Sequence, residues 1–280
     1  ISVEFNHILS DGTGCMYFFN TLLYEYLRLS GHEVSVSPLI KDPSLKPEAE
    51  EFEDTHSTVA KKYYNTHGKK IKNIGNVYHL KSRIENRNDF RVTKAEVEFM
   101  ELNKLAKKYD ASITVLLTAL YLECLKEIQE SEIKPRKRKT VTVQVPINMR
   151  NKIPAKTMRN FSLFVIPYLY PNKKYSFANI VKLTKAHIEK YSSLDNLLRV
   201  AVNNYKITHT PIVRLLPLVL KTIVTPHVYK TAGADTFSAT ISNIGNIVYP
   251  PDMDKHIKKV NFILGTIVLY LYLILSKPEI

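Results

Sequence analysis

The spacing of hydrophobic and polar residues changes early in the chain, from a period of two to the period of a helix. Residues 1–6 alternate apolar and polar side chains, as a half-buried strand does. Residues 13–29 carry apolar side chains at the spacing of one helix face, and Gly31 follows at a position that ends helices. The pattern therefore predicts a strand, a short junction and then a helix.

The same reasoning predicts the elements of the rest of the chain. Helices are expected over 48–66, 93–109, 112–130, 176–192, 194–206 and 211–222. The second of these begins with a capping-box pattern at Thr93 and Glu96. Strands are expected over 78–92, as one or two, and over 140–147, 161–169 and 237–242. Such alternation without a strict repeat indicates a mixed α/β, or layered α+β, fold.

The apolar tail, Val260 to Ser276, is predicted to form two core strands. Its most apolar part, Phe262 to Leu275, is shorter than the ~20 residues that a membrane-spanning helix needs, and it contains Gly265 and Thr266. Ile, Val and Tyr are abundant there and favour strands. No membrane span is therefore expected, although no hairpin turn is recognisable between the two strands.

Composition indicates a globular protein with reduced thiols. The chain has 280 residues, of which 45% are hydrophobic, enough for one large domain or two small ones with a buried core. Cys15 and Cys124 are the two cysteines, and both fall in apolar helical patterns rather than in a disulfide framework. Because the N-terminal residues show no signal-peptide pattern, the expected compartment is the cytoplasm.

The chain is basic, with a formal net charge of +14. Its densest basic run, residues 134–139, lies between a predicted helix and a predicted strand. A solvated loop is the simpler interpretation of this run, and contact with a phosphate-bearing ligand or an acidic partner is the functional one. Zinc-ligand spacing, a helix-turn-helix signature and an aromatic sheet motif are all missing from the sequence, so nucleic-acid binding is not expected.

The candidate chemistry lies at the first strand–helix junction. There the sequence His7-Ile8-Leu9-Ser10-Asp11-Gly12 places a carboxylate four residues after a histidine, followed by a glycine. Such a junction is held on both sides and open above, which suits a positioned general base. The alternative is an exposed or structural histidine, which is the interpretation we give to the other histidines of the chain.

Two other chemistries are not expected at this junction. Cys15 lies on the apolar face of the predicted helix and lacks the third, orienting group that a Cys–His dyad needs. His7 and Asp11 have the spacing of two metal ligands, but no third ligand follows at a suitable distance.

The segment from His7 to Gly12 resembles the His-x-x-x-Asp-Gly motif of the chloramphenicol acetyltransferase-like superfamily. That superfamily includes condensation domains of peptide synthetases, alcohol O-acetyltransferases and wax ester synthases. Segments 107–115, 143–150, 160–161 and 240–245 resemble further segments of these enzymes in the same order. The resemblance implies that His7 is the general base, that Asp11 holds the loop by pairing with Arg150, and that Gly12 permits a tight turn.

The resemblance also implies the architecture. We expect a chloramphenicol acetyltransferase-like sandwich, with a mixed sheet flanked by helices, as an incomplete two-subdomain fold. Residues 1–35 would end an N-terminal subdomain, 36–92 would form a crossover linker with a helix and strands, and 93–280 would form the C-terminal acyltransferase subdomain. The remainder of the N-terminal subdomain is expected to be missing or supplied by a second chain.

The implied function is that of a coenzyme A-dependent acyltransferase. Such an enzyme moves an acyl group from acyl-CoA, or from a phosphopantetheine arm of an acyl carrier protein, to a small alcohol or amine, with no permanently bound cofactor and no metal. His7 would take the acceptor's proton, and Ser242 or Asn243, or nearby N–H groups, would bind the substrate and its oxyanion. The alternative is a non-catalytic, condensation-like binding module that serves as a platform for a partner.

Overall fold

The computed structural model describes residues 1–68, 75, 77–80, 92–224, 234–245, 247 and 249–263. The helices are α1 (Gly12–Leu29), α2 (Thr55–Lys62), α3 (Phe99–Lys108), α4 (Ile113–Glu132), α5 (Phe177–Tyr191), α6 (Leu194–Thr208) and α7 (Pro211–Leu215). Residues 218–224 are also helical, and Pro251–Asp254 forms a single turn. The strands are β1 (Val141–Asn148), β2 (Ser162–Val165), β3 (Tyr168–Leu169) and β4 (Ala239–Thr240).

Helix α1 has the bounds that the sequence predicted, to within one residue. Asp11 caps its start, because Oδ1 accepts a hydrogen bond from the Gly14 N–H at 3.1 Å. Gly31 ends it with a φ of +85°, a left-handed conformation that lets the His32 N–H reach the Leu27 carbonyl at 3.0 Å. The candidate site therefore lies at a firmly capped helix N-terminus.

The strand predicted over residues 1–6 is not formed. In the described part of the chain no strand pairs with this segment, and a single extended segment without a partner gains no ladder hydrogen bonds. The alternation survives only as side-chain burial, since Val3 and Phe5 are half-buried while their neighbours are exposed. Phe5 packs edge-to-face on Phe18 of α1, with ring centroids 5.3 Å apart.

The sheet is built around β1, which pairs with each of the other three strands. β2 and β3 both pair antiparallel with β1, and their residues follow one continuous register. Pro167 lies between the two strands and interrupts the pairing, because proline has no N–H to donate. β4 pairs with β1 in parallel, with Val143 opposite Ala239. The structure thus has the mixed sheet flanked by helices that the sequence predicted.

The main core lies between one face of this sheet and helices α3, α4 and α5. Leu122 and Leu125 of α4 pack there with Ile180 of α5 and with Val143 of β1, and all are at most 1% exposed. A second cluster joins α2 and α6 to the end of β1, with Phe161 and Leu197 fully buried. This second cluster lies directly beneath the loops that carry the candidate site.

Three predicted helices differ from the observed ones. The 48–66 helix is a 3-10 turn at Ala49–Phe52 followed by α2, and the 211–222 helix is interrupted at Pro217. The 93–109 helix begins only at Phe99, because residues 92–98 are exposed and gain no packing from helix formation. Glu96, the expected capping residue, forms an ion pair with Lys259 instead.

Some expectations fall on residues outside the described part of the chain. This is the case for 264–276 of the predicted tail strands, while residues 260–263 form no strand. It is also the case for 81–91 of the predicted 78–92 strands. Residues 78–80 form no strand, and the neighbouring Val77 makes one isolated bridge to Thr140. No helix among the described residues is both long and apolar enough to cross a membrane. The three-part domain division stays a prediction.

Candidate active site

Asp11 is a buried carboxylate whose oxygens are both occupied by protein donors. Its Oδ2 accepts from the Arg150 guanidinium at 2.6 Å and from the Phe161 N–H at 2.8 Å, while Oδ1 caps α1. Only 6% of its side chain and 10% of that of Arg150 are exposed. The ion pair predicted from the sequence is therefore present, and a carboxylate so occupied holds the loop rather than meeting a substrate.

Arg150 connects the candidate loop to a second loop, residues 157–161. Its Nε and Nη2 donate to the Thr157 carbonyl at 3.1 and 2.9 Å, and Nη2 also donates to the Arg159 carbonyl at 2.7 Å. Nη1 reaches Asn148 Oδ1 at 3.3 Å in addition to Asp11. A buried charge is tolerated when its hydrogen bonds are satisfied in this way. The network thus fixes the two loops against each other.

The glycine that this packing requires is Gly14, not Gly12. A Cβ at Gly14 would lie 2.1 Å from the Met158 carbonyl oxygen and 2.1 Å from Ser10 Oγ, which itself donates to that carbonyl at 2.6 Å. Gly12 is the first residue of α1, and its φ is not positive. A Cβ at this position would meet nothing within 4 Å. The tight-turn role expected for Gly12 is therefore wrong for this backbone.

His7 lies in an exposed turn, residues 7–9, immediately before the buried Asp11. The Asn160 amide nitrogen is 3.5 Å from both the Nδ1 and the main-chain oxygen of His7, the outer limit of a hydrogen bond. Asn160 is itself oriented by its Oδ1, which accepts from the N–H and hydroxyl of Ser162. Within the described residues His7 Nε2 has no hydrogen-bond partner, so this nitrogen is available to a ligand.

Two contacts beside the site were not predicted from the sequence, although Asn148 itself lies in the recognised segment 143–150. Asn148 Nδ2 donates to Thr13 Oγ1 at 3.0 Å and so ties the end of β1 to the first turn of α1. His56 of α2 contacts the Phe161 ring edge-on, and its Nε2 is 3.2 Å from the Ser162 carbonyl. Burial lowers the pKa of His56, which keeps it neutral and structural. Only the fold, and no local pattern, brings these side chains to the site.

Ser242 and Asn243 follow β4, whose parallel register carries them toward the same end of the sheet as the end of β1. Asn243 Nδ2 donates to Thr114 Oγ1 at 3.0 Å, and its Oδ1 accepts from the Gly245 N–H at 2.8 Å. These contacts dock the turn after β4 on the start of α4 and leave the Asn243 amide little freedom for a ligand. The substrate-binding role of both residues stays a prediction, and Ser242 is the better candidate of the two.

The basic run 134–139 has a structural member. The Arg138 guanidinium donates to the carbonyls of Glu130 and Ile133, each at 3.0 Å, and so satisfies the C-terminal end of α4. Arg136 and Lys137 are exposed. Part of the run therefore belongs to the fold, and phosphate contact stays a prediction for the remainder.

Cys15 contributes no nucleophile to the site. It is a free thiol buried in α1, and burial raises its pKa, which disfavours the reactive thiolate. Cys124 of α4 is also a free thiol. Among the described residues, no group of three or more His, Cys, Asp or Glu side chains is arranged to hold a metal ion.

No protein-family model matches the sequence, and no curated protein matches it. Solved structures do match. Vinorine synthase aligns with a TM-score of 0.43 and 10% identity, over 85% of this chain and 46% of its own. TRI101 of F. sporotrichioides, complexed with coenzyme A and T-2, aligns with a TM-score of 0.43 and 12% identity, over 85% of this chain and 50% of its own.

The first condensation domain of the CDA synthetase also matches, with a TM-score of 0.40 and 14% identity, over 86% of this chain and 46% of its own. The chain thus spans about half the length of the structures that it matches. A condensation domain is thus among the matched structures, and condensation domains are among the proteins that the His7–Gly12 motif resembles.

Proposed function

We propose that this chain carries the general base of an acyltransferase, with His7 as that base. The observation that carries the proposal is an exposed imidazole on a turn that a buried ion pair holds from behind. Asp11 and Arg150 hold the loop next to this turn through protein contacts alone, and the His7 residue is exposed. Rigid support with an open reactive atom is what general-base catalysis requires.

The proposed reaction transfers an acyl group from a thioester to an alcohol or amine. Nε2 of His7 takes the proton of the acceptor while its oxygen or nitrogen bonds to the thioester carbonyl carbon. The tetrahedral oxyanion then collapses, the carbon–sulfur bond breaks, and His7 returns the proton to the leaving thiolate. The thioester is carried by coenzyme A or by a phosphopantetheine arm, and the reaction uses no further cofactor.

This role specifies the tautomer of His7. A neutral imidazole has one protonated nitrogen, so a basic Nε2 requires the proton on Nδ1. The Asn160 amide then donates to the main-chain oxygen of His7, the second of its two contacts at 3.5 Å, and not to Nδ1. Asn160 thus supports the turn without competing for the base.

The oxyanion needs hydrogen-bond donors where its charge develops. The Ser242 hydroxyl is our candidate, because the neighbouring Asn243 amide is already bonded to Thr114. The exposed side chains of Arg136 and Lys137 are candidates for contact with the phosphates of the thioester carrier. The cytoplasm remains the proposed compartment, consistent with two free thiols.

The proposed site needs a cover over the apolar side chains of the His7 turn. Ile8 is 85% exposed and Leu9 69% exposed on the same turn as His7, and Phe18 of α1 is half exposed nearby. We propose that an N-terminal subdomain or a second chain covers these apolar side chains and excludes water from the thioester. The small-molecule acceptor and the acyl donor would then meet at His7, between this cover and the His7 turn.

The test is turnover by the His7→Ala variant in a thiol-release assay with panels of acyl-CoAs, alcohols and amines. We expect the rate to fall by at least ~10²-fold while far-ultraviolet circular dichroism stays unchanged, since loss of a general base costs ~10²–10⁴-fold. His32→Ala, an exposed histidine beyond the end of α1, is the matched control and should keep full turnover.

Near-normal turnover by His7→Ala would refute the assignment. Binding of acyl-CoA or of a carrier protein with no turnover in any form of the protein would favour the alternative function, a non-catalytic condensation-like module. That alternative is supported by the same exposure of His7, because an open imidazole alone does not make a closed site.

A further inference from the structure

A second apolar surface lies far from His7 in the sequence, on α7 and the helical residues 218–224. Leu215, Leu218 and Val219 expose between 71% and 82% of their surface, and Leu220, Ile223 and Ile207 of α6 are also exposed. We name these six side chains the 207–224 face. Soluble proteins rarely leave so many large apolar side chains together in water without a partner.

The sequence explains why this face is not folded inward. The stretch 211–224 is apolar on nearly every side, with Arg214 and Lys221 as its only charged residues. Pro217 interrupts the helix, and Lys221 Nζ donates to the Arg214 carbonyl at 3.3 Å across the break. A broken helix that is apolar all round has no single face to bury, so side chains on both segments remain exposed.

A basic groove lies beside the 207–224 face. Its volume is about 580 Å³, and Lys61 of α2, Lys206 of α6 and Arg214 of α7 line it together with Tyr64, Tyr205 and His209. None of the described residues that line it is acidic. Lys206 Nζ lies 4.5 Å above the Tyr64 ring, which orients this cation at the groove wall. The groove therefore presents positive charge where the apolar surface begins.

We propose that the 207–224 face docks on the surface of an anionic phospholipid bilayer. The apolar side chains enter the boundary between headgroups and acyl chains, and the groove cations contact lipid phosphates, the pairing that interfacial helices use. Charge complementarity selects this occupant over a second copy of the chain, because two copies with a net charge of +14 would bring like charges together. Docking of this kind needs no membrane-spanning helix.

The experiment is co-sedimentation of the protein with large unilamellar vesicles. We expect binding to vesicles of phosphatidylcholine with phosphatidylserine, weaker binding to phosphatidylcholine alone, and a loss of the difference in high salt. The double variant Leu215→Ser with Leu218→Ser should lower the partition coefficient by about tenfold or more, because both side chains leave the apolar boundary. Lys206→Ala with Arg214→Ala should lower binding to the anionic vesicles only.

Two matched controls separate this face from other surfaces. Leu45→Ser changes an apolar side chain that is 67% exposed elsewhere, and Arg136→Ala with Lys137→Ala removes charge from the other basic run. Both should bind vesicles like the unaltered protein. Circular dichroism and thermal melting of every variant, without vesicles, verify that each is folded.

Four results would overturn the proposal. The first is no binding to anionic vesicles, and the second is equal binding by the Leu215→Ser, Leu218→Ser variant. The third is a dimer in solution that this double variant converts to a monomer, which would make the face an interface between two copies. Binding lost only in the Arg136→Ala, Lys137→Ala control would likewise assign the membrane contact to another surface.

Discussion

At the scale of single residues, Asp11 and Arg150 explain how an exposed histidine is held in place. The Asp11 carboxylate accepts three hydrogen bonds. The Arg150 guanidinium donates hydrogen bonds to this carboxylate, to one side-chain amide oxygen and to two main-chain carbonyls. Because the polar atoms of both side chains are occupied by protein partners, we expect the pair to affect chemistry only through the position of His7, as the motif implies.

Removal of either member of this pair should destabilise the protein strongly. Arg150→Ala leaves the buried Asp11 carboxylate without its counter-ion, and Asp11→Ala leaves a buried guanidinium, so each should cost about 3–5 kcal/mol in free energy of unfolding. Urea denaturation measures this. Glu48→Ala breaks the exposed pair with Lys156 and should change stability little. Equal small losses in all three variants would contradict the buried-pair interpretation.

The two glycines of the motif region should respond oppositely to alanine. Gly14→Ala places a Cβ against the Met158 carbonyl, and because this neighbour is backbone, the clash should cost about 1–3 kcal/mol. Gly12→Ala meets open space and has no positive φ, so its stability should equal or slightly exceed that of the unaltered chain. Thermal melting compares them. A larger loss in Gly12→Ala than in Gly14→Ala would contradict the structure.

At the scale of elements, α4 organises the core and anchors the turn after β4. It packs on β1 and α5, and its first turn receives Asn243 through Thr114. Ser112 caps this turn by accepting from the Val115 N–H at 3.3 Å. A change at the cap therefore reaches the loop after β4 as well as the helix.

Ser112→Ala should lower the free energy of unfolding by about 1 kcal/mol, the usual cost of a lost N-cap. Ser193 provides the matched control, because it precedes α6 but caps no backbone N–H of that helix; its Oγ accepts instead from the Asn196 side-chain amide, at 2.9 Å. Ser193→Ala should therefore cost clearly less. Chemical denaturation of the two variants tests the difference, and indistinguishable losses would argue against capping as the cause.

The elements also show what local sequence can and cannot predict. Helix α1 and helix α4 were predicted almost to the residue, because a capping side chain and an apolar face agree there. Residues 1–6 alternate like a strand but lack a partner in the described chain, and strand formation depends on pairing that no local pattern encodes. The capping pattern at Thr93 and Glu96 did not start a helix, because residues 92–98 are exposed and gain no packing from helix formation.

The residues of the candidate site also divide into those that the sequence could predict and those that it could not. His7 and Asp11 were predicted from the local motif, and Arg150 from the resemblance of segment 143–150. Asn148 lies in that same segment, but its contact with Thr13 depends on the packing of β1 against α1. His56 carried no signal of its own in the sequence, and only the position of α2 brings it to the candidate site.

At the scale of the whole molecule, the proposed site at the His7 turn is open on one side. Ile8 and Leu9 follow His7 on this turn and are largely exposed, so neither stabilises the described fold appreciably. A thioester beside an open base is also exposed to water, which competes with the alcohol or amine for the carbonyl carbon. Cover from an N-terminal subdomain or a second chain would make acyl transfer prevail over hydrolysis.

Ile8→Ser with Leu9→Ser should therefore leave the melting temperature of this chain unchanged and still impair catalysis. In the presence of the covering subdomain or chain, we expect the ratio of acyl product to released thiol to fall, because the weakened cover admits water to the thioester. Chromatographic quantification of product alongside thiol release measures that ratio. Leu45→Ser, equally apolar but remote in sequence, should leave it unchanged. An unaltered ratio in the double variant would mean that nothing closes over this face during the reaction.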